Sequence, residues 1–396
     1  MTLFLPAVFL LVTGIQLFYI LFIFSRTAFY RDPVPRPADA PSGVEAPGVS
    51  IIVCAWNELP NLQALLPMLA RQVYPTFEII VMDDRSSDGT RDWLDSVAAH
   101  VPGLRYFHID REHQHVTPKK YALTIGIRKA AYPLILLTDA DCRPASTRWL
   151  AGMAAHLADP TRQIVIGVSP YERRPGWLNR LIRYETLYTA VQYVSLALAG
   201  HPYMGVGRNL MYRRDLFLNN RGFYSHMRVL GGDDDLFLNE VATARNVAVC
   251  LYPETFTESR PKQTWDAWRR QKRRHLSVGR HYQTKNKIWL GLLSLSHVLL
   301  WLLTPALLPL AVAPLLRTGW PAMLSTPDTQ FWLVVLALWV FRLVAFWLVV
   351  GRISQRLGHM VHWAGIPAMD VVLAGYYAVA GVKTLFNRQK NKLAWR

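Results

Sequence analysis

Leu3 to Phe24 is a run of 22 residues without a charge. Such a run is long enough to cross the roughly 30 Å hydrocarbon core of a bilayer. In lipid a lone segment can satisfy its own backbone groups only as a helix, so the run fixes the start of the chain as a membrane helix. No basic stretch precedes it and no small-residue cleavage site follows it, so it does not read as a removable leader. Arg26, Arg31 and Arg36 come next. By the positive-inside rule they put the amino terminus outside and the following domain in the cytoplasm, with a plasma membrane, bacterial in type, as the expected location.

The composition agrees: 52% of residues are hydrophobic and 18% charged. Ile288 to Leu316 offers 29 uncharged residues, interrupted by Pro305, Pro309 and Pro314, and is expected to span with a kink. Phe331 to Val350 is expected to span back. It carries Arg342 in its middle, which needs either a contact from another helix or a lipid phosphate. Val361 to Phe386 is apolar enough to span but contains Pro367, Asp370 and Lys383, and is followed by Arg388, Lys390, Lys392 and Arg396. One crossing would leave that basic tail outside, so an interfacial or re-entrant path is favoured over a full span.

The expected plan is a membrane helix over 1–25, a Pro-rich linker over 26–48, a cytoplasmic domain over 49–259, a basic interfacial region over 260–287, and membrane segments over 288–316, 331–350 and 361–386. The net charge of +17 suits nucleic acid, or an anionic membrane and a phosphorylated substrate. Arg260 to Lys287 holds ten Lys/Arg and one acid, Asp266, interleaved with Trp265, Trp268 and Tyr282. Because apolar membrane-type sequence adjoins it, a membrane-surface helix is preferred to a nucleic-acid patch. Cys54, Cys142 and Cys250 have no metal-type spacing and read as reduced core residues.

Between linker and basic region, strands alternate with helices. Val49–Ala55, Phe77–Met82, Leu104–Ile109 and Leu134–Thr138 are apolar strands. Helices are expected from Leu59 to about Gln72, after a cap at Asn57, then after Ser87 or Asp88, and from Pro118 to about Ala130. Trp149–Leu157 reads as a helix, Gln163–Ser169 and Val247–Tyr252 as strands, and Trp177–Leu198 as an amphipathic helix of the core or of the membrane surface. This alternation predicts an α/β fold with a doubly wound, mostly parallel sheet, whose ligands sit at the carboxyl ends of the strands. Those ends carry Asn57 and Glu58, Asp83 and Asp84, and Asp139 and Asp141.

Asp139 and Asp141 are one residue apart at a strand end and point the same way. Two such carboxylates repel, and a hard divalent cation, Mg²⁺ or Mn²⁺, relieves them. The plain alternative is a strand leaving the core through an Asp-rich turn. Gly231-Gly232-Asp233-Asp234-Asp235 is a turn leading into a helix, either a set of acid–base candidates or an acidic helix start. Gly205 to Asn209 lacks the third glycine and the upstream strand of a dinucleotide fingerprint.

In this order, VSIIVCAWNE (Val49–Glu58), VMDDRSSDGT (Val81–Thr90), PKKYAL (Pro118–Leu123), TDAD (Thr138–Asp141), GGDDDL (Gly231–Leu236) and QKRRH (Gln271–His275) resemble membrane-bound family 2 glycosyltransferases of the processive-synthase and ceramide-glucosyltransferase type. The resemblance covers about residues 49–285. It implies a GT-A fold plus transmembrane helices, a UDP-sugar donor, a Mg²⁺ or Mn²⁺ ion, and inverting transfer to a lipid or glycan acceptor at the cytoplasmic face. By resemblance Asn57, Glu58, Asp83, Asp84, Lys119, Asp139, Gln271, Arg273 and Arg274 serve the donor, and Asp139 with Asp141 the metal. Gly207, Arg208 and His275 fall in the acceptor region. The base lies among Asp233, Asp234 and Asp235, with the glycine spacing favouring Asp234 and the leucine spacing Asp235. His275 stands where the family has an aromatic residue, which departs from polymer-type acceptor binding. Polysaccharide synthesis with export, and a non-catalytic nucleotide-sugar-binding membrane protein, are the other readings.

Overall fold

The computed structural model describes residues 4–35, 46–113, 115–322, 326–358 and 360–386. The linker's middle and the basic tail at Arg388, Lys390, Lys392 and Arg396 lie outside them. The chain divides into two compact units, one built on Tyr30–Gln283 and one on the apolar helices.

Among the described residues nine strands form in the first unit: β1 (Val49–Ala55), β2 (Phe77–Asp84), β3 (Leu104–Ile109), β4 (Leu134–Asp139), β5 (Cys142–Pro144), β6 (Ile164–Ile166), β7 (Leu210–Arg213), β8 (Val247–Val249) and β9 (Thr257–Ser259). Seven build one sheet in the order β3-β2-β1-β4-β7-β6-β8, and β5 pairs with β9 apart from it. β1, β2, β3 and β4 run parallel, β7 is antiparallel to β4 and β6, and β6 runs parallel to β8. β1 is buried along its whole length, as a strand covered on both faces must be.

Helices supply the cover. Leu59–Ala70 buries Leu62, Leu65, Leu66 and Leu69, one face at helical spacing, against the sheet. Pro118–Lys129 lies closer still, since a Cβ on Gly126 would stand 3.0 Å from Ile52 Cγ2 and 3.1 Å from Met82 Cγ. Trp177–Leu198 buries residues on all sides, among them Tyr184, Leu187, Tyr188, Val191, Tyr193 and Val194, and is a core helix.

Several local expectations shift. Glu58, not Asn57, stands at the N-cap position of the first helix after β1, with no side-chain bond to the helix backbone, while Asn57 takes a left-handed φ of 55°. The next helix, Thr90–Val97, starts from Gly89 at φ 87°, and Asp88 instead accepts hydrogen bonds from Leu59 N and Thr90 N. β6 and β8 each stop after three residues. Apolar residues continue past both, Val168 after β6 and Cys250 and Leu251 after β8, but they leave the sheet ladder.

Among the described residues the second unit holds four helices long and apolar enough to cross a membrane: Phe4–Ala28, Thr284–Ala313, Thr329–Arg356 and Trp363–Gly381. Thr284–Ala322 is one helix running through Pro305, Pro309 and Pro314. Ile366–Phe386 is likewise one continuous helix where the charge rule favours a re-entrant path. Arg342 is fully buried. It donates to Asp370 (2.6 Å) and to Gln16 (2.8 Å), so its partner is a helix contact. His297 and Trp301 also bond Asp370, at 2.7 and 3.0 Å. One carboxylate thus gathers donors from two other helices, and Arg342 extends the network to Gln16 on the first. A buried charge is stable only with such company.

Candidate active site

The strand registers bring the acidic ends to one edge of the sheet. Ala55 lies opposite Asp83, Cys54 opposite Asp139, and Asp83 opposite His108. Asp83 Oδ2 faces His108 Nδ1 at 2.8 Å, while Asp83 Oδ1 is buried without a hydrogen-bond partner among the described residues. That oxygen can accept from the N–H or O–H of a bound molecule. Asp84 is paired with Arg85 at 2.7 Å. Asn57 Oδ1 accepts from Ser87 N at 2.7 Å, and its own N–H donates to Ser86, which closes the loop beside Asp83. Glu58 holds Asn61 at 2.6 Å, and burial raises its carboxyl pKa.

Pro118 at the head of its helix leaves the next residue, Lys119, in the first turn. The Lys119 ammonium donates to Asp139 at 2.9 Å and pairs with Asp233 at 3.0 Å. Three motifs far apart in sequence therefore meet at one cation. Burial alone would lower the Lys119 pKa, but Asp139, Asp233 and Asp234 hold it well above the ordinary lysine value. Burial likewise pushes Asp233 up, and Lys119 more than reverses this, so Asp233 is an anion. Lys120, its neighbour, is buried and bonds the carbonyls of His226 and Val229, a structural task.

Asp139, Asp141 and Cys142 offer ligand atoms within 4.8 Å of one another. Burial, and then the Asp139 carboxylate, raise the Asp141 pKa, which is the situation a divalent cation relieves. Cys142 fits a hard cation poorly. Burial pushes its thiol up to about 12, and its sulfur faces Ser259 Oγ at 3.1 Å. The oxygen pair is what suits Mg²⁺ or Mn²⁺.

The three consecutive aspartates part company. Asp234 caps the helix Asp235–Val241, its Oδ1 accepting from Asp235 N at 2.9 Å and its Oδ2 from Gly207 N at 2.6 Å. Asp235 turns to the Tyr282 hydroxyl at 2.7 Å, and burial with the adjoining Asp234 lifts its pKa well above the usual range. Asp233 alone of the three reaches Lys119. Gly231 and Gly232, at φ 79° and 73°, make the turn that fans these side chains apart.

The 205–209 loop is pinned by Asn209, whose buried side chain bonds Val168 O (2.8 Å), Thr255 O (2.9 Å) and Trp149 Nε1 (2.9 Å). Arg208, between Gly207 and Asn209, stacks its guanidinium 4.5 Å from the centre of the Tyr171 ring. Gln271 donates to the Tyr171 hydroxyl at 3.2 Å, and Lys272 is bonded to Glu185, so the basic helix Trp265–Val278 is tied to this unit by its own side chains. The Arg274 alkyl chain lies over Gly231, within 3.5 Å of where a Cβ would stand. Arg273 and His275 are exposed on the same helix. Sequence reasoning missed His108, Tyr171 and Asn209. The only signals were positional: His108 pairs across from an acidic strand end, and Asn209 adjoins Arg208.

Residues 50–219 match the profile of Glycosyl transferase family 2. The chain is 28% identical over 214 residues to an N-acetylglucosaminyltransferase of Mesorhizobium japonicum, covering 52% of this chain and 50% of that protein. It is 38% identical over 60 residues to an undecaprenyl-phosphate mannosyltransferase of Micrococcus luteus, covering 15% and 24%. The chain thus spans half or less of the length of these curated relatives. Among solved structures it is similar to the mannosyltransferase PcManGT of Pyrobaculum calidifontis in complex with GDP-Man and Mn²⁺, with TM-score 0.54 and 21% identity over 97% of this chain and 100% of that one. The sheet has the GT-A-type architecture of that neighbour.

Proposed function

The chain carries a family 2 glycosyltransferase domain, and we propose that it moves a sugar from a nucleotide-sugar, a UDP-sugar first among them, to a lipid or short glycan acceptor at the cytoplasmic face of a membrane. The observation that carries this reading is the Lys119 contact with both Asp139 and Asp233, which joins the strand-end pair to the aspartate cluster in one pocket.

Asp83, with one oxygen open, is assigned to the nucleoside, and Asp84 and the Asn57 loop frame it. Asp141 and Asp139 would hold a divalent cation. When bound, that cation neutralises charge on the leaving diphosphate, so the departing group needs no proton from a side chain. Lys119 and Arg274 add positive charge on the diphosphate, and Gln271 and Arg273, on the same helix as Arg274, are assigned to the donor by resemblance. Asp233, Asp234 and Asp235 wall the acceptor side, with Gly207, Arg208 and His275. A single displacement at the anomeric carbon inverts it. One relative's name, an undecaprenyl-phosphate mannosyltransferase, supports a lipid acceptor; the N-acetylglucosaminyltransferase's name gives a sugar and no acceptor.

The reading is tested by nucleotide release in detergent micelles, comparing the wild-type chain with Asp141→Asn. Metal-stimulated release that falls by two orders of magnitude or more in the variant is expected. Equal rates in both would remove Asp141 from the metal site.

A further inference from the structure

We infer that His108 decides which nucleoside diphosphate the site accepts: it occupies one oxygen of Asp83, so that the other reads a single ring N–H and selects uracil over guanine. This rests on the glycosyltransferase reading and names the residue that sets its donor class.

Asp83 and His108 are register partners at the ends of β2 and β3, so their side chains leave the same face of the sheet. Asp83 is buried, and its two oxygens differ. Oδ2 lies 2.8 Å from His108 Nδ1. A carboxylate accepts, so Nδ1 carries the hydrogen and donates. Oδ1 is buried with no hydrogen-bond partner among the described residues. A buried polar atom left unpaired costs free energy, so this oxygen asks for a donor from a bound molecule. Two further neighbours hold the imidazole. Its ring packs edge-on to Tyr106, with centroids 5.2 Å apart, and Nε2 stands 3.7 Å from Asp95 Oδ1 on the helix Thr90–Val97. Swinging the ring away from Asp83 would give up both. His108 is thus a positioning residue, acting on the base through Asp83.

A carboxylate reads only bases that turn an N–H toward it. Uracil and guanine carry a ring N–H on their pairing edge. Cytosine and adenine carry there a ring nitrogen that accepts, and an acceptor repels Asp83. Uracil and guanine differ beside that N–H. Uracil has a carbonyl on either side, whereas guanine has a carbonyl on one side and an amino group on the other. Guanine therefore pairs best with a carboxylate that offers both oxygens, one to each donor. Uracil pairs best with one oxygen, because a second bare oxygen would face a carbonyl. At Asp83 the second oxygen is engaged by His108, and the imidazole fills its flank. A guanine amino group turned toward Oδ2 finds it taken and is buried unpaired. A uracil carbonyl turned the same way meets an oxygen whose charge His108 already answers.

The test is equilibrium binding of UDP, GDP and inosine diphosphate to the full chain in micelles with Mn²⁺. Inosine diphosphate keeps the ring N–H of guanine and lacks its amino group, so it separates the edge from the size of the base. The wild-type chain should bind UDP about ten-fold or more tighter than GDP, with inosine diphosphate tighter than GDP. His108→Ala, which frees Oδ2, should shrink the UDP preference by about ten-fold and put GDP ahead of inosine diphosphate. His108→Asn, whose amide can still donate to Oδ2, should keep the wild-type order. A merely structural role would weaken all three ligands together, and that outcome in His108→Ala overturns the proposal. So does wild-type binding of GDP as tight as UDP or as inosine diphosphate, a result that needs no variant to fold and leaves the glycosyltransferase reading standing. Binding of none of the three overturns both.

Discussion

Lys119→Met removes the one cation shared by Asp139 and Asp233. The two contacts, at 2.9 and 3.0 Å, place those carboxylate oxygens within about 6 Å of each other, and at an effective dielectric near 20 two unit charges so placed repel by about 3 kcal/mol. Solvent reaches 32% of the Asp139 side chain, so screening reduces this to roughly 1–2 kcal/mol. The variant should be less stable by that amount at neutral pH. Added Mn²⁺, or Asp233→Asn in the same chain, should restore most of it. Catalysis should respond differently. A charge-assisted hydrogen bond to the diphosphate is worth about 1.5–3 kcal/mol, so donor kcat/KM should fall by roughly 10- to 150-fold, and Asp233→Asn should not rescue it. The assays are thermal unfolding in micelles with and without Mn²⁺, and nucleotide release against donor concentration. If Lys119→Met leaves both unchanged, Lys119 is a surface lysine and the convergence of the three motifs has no chemical meaning.

Other outcomes follow from the same contacts. His156 sits 3.0 Å from Asp32; burial works to lower its pKa, but the Asp32 hydrogen bond, with Cys250 beside it, raises it to about 10. A raised histidine pKa stabilises fully below about pH 6.5, and that stability drains away as pH climbs through the folded-state value. Alkaline unfolding should therefore show a loss between about pH 6.5 and 10 that His156→Gln abolishes. In the membrane-type unit, Asp370→Leu should cost about 3–5 kcal/mol by stranding Arg342, whereas Asp370→Leu with Arg342→Leu should cost clearly less; additive losses in a double-mutant cycle would contradict the pairing. Asn209→Ala orphans two carbonyls and the Trp149 N–H, a loss of about 3 kcal/mol, and melting that moves by less than a third of this would show the 205–209 loop is held otherwise.

The parallel half of the sheet was legible because its strands are unbroken apolar runs that end in acids: Leu134–Thr138 is expected and Leu134–Asp139 observed. Trp177–Leu198 was legible as a helix from apolar residues at helical spacing, among them Leu178, Leu181, Ile182, Val191 and Val194, though that spacing left open what it faces. The short strands β6 and β8 were overdrawn, since apolar residues continue past the last paired one. Arg342 and Asp370 were each conspicuous in the sequence, but only the registers of two helices make them partners. At the site, the acidic residues were readable from their place at strand ends. The separate fates of Asp233, Asp234 and Asp235 were not, because successive residues at a helix start point in different directions and only tertiary partners name them. Tyr171 carries no local signal at all; it matters because Arg208 lies on it.

The central claim is that this pocket binds a nucleotide-sugar through a divalent cation. Nucleotide release by the full chain in micelles, across UDP- and GDP-sugars, with Mn²⁺, with Mg²⁺ and with chelator, tests it most directly. The account predicts release from at least one UDP-sugar that chelator abolishes and either cation restores. Release that is indifferent to chelator would contradict the role given to Asp139 and Asp141, and release from no sugar nucleotide would contradict the account itself.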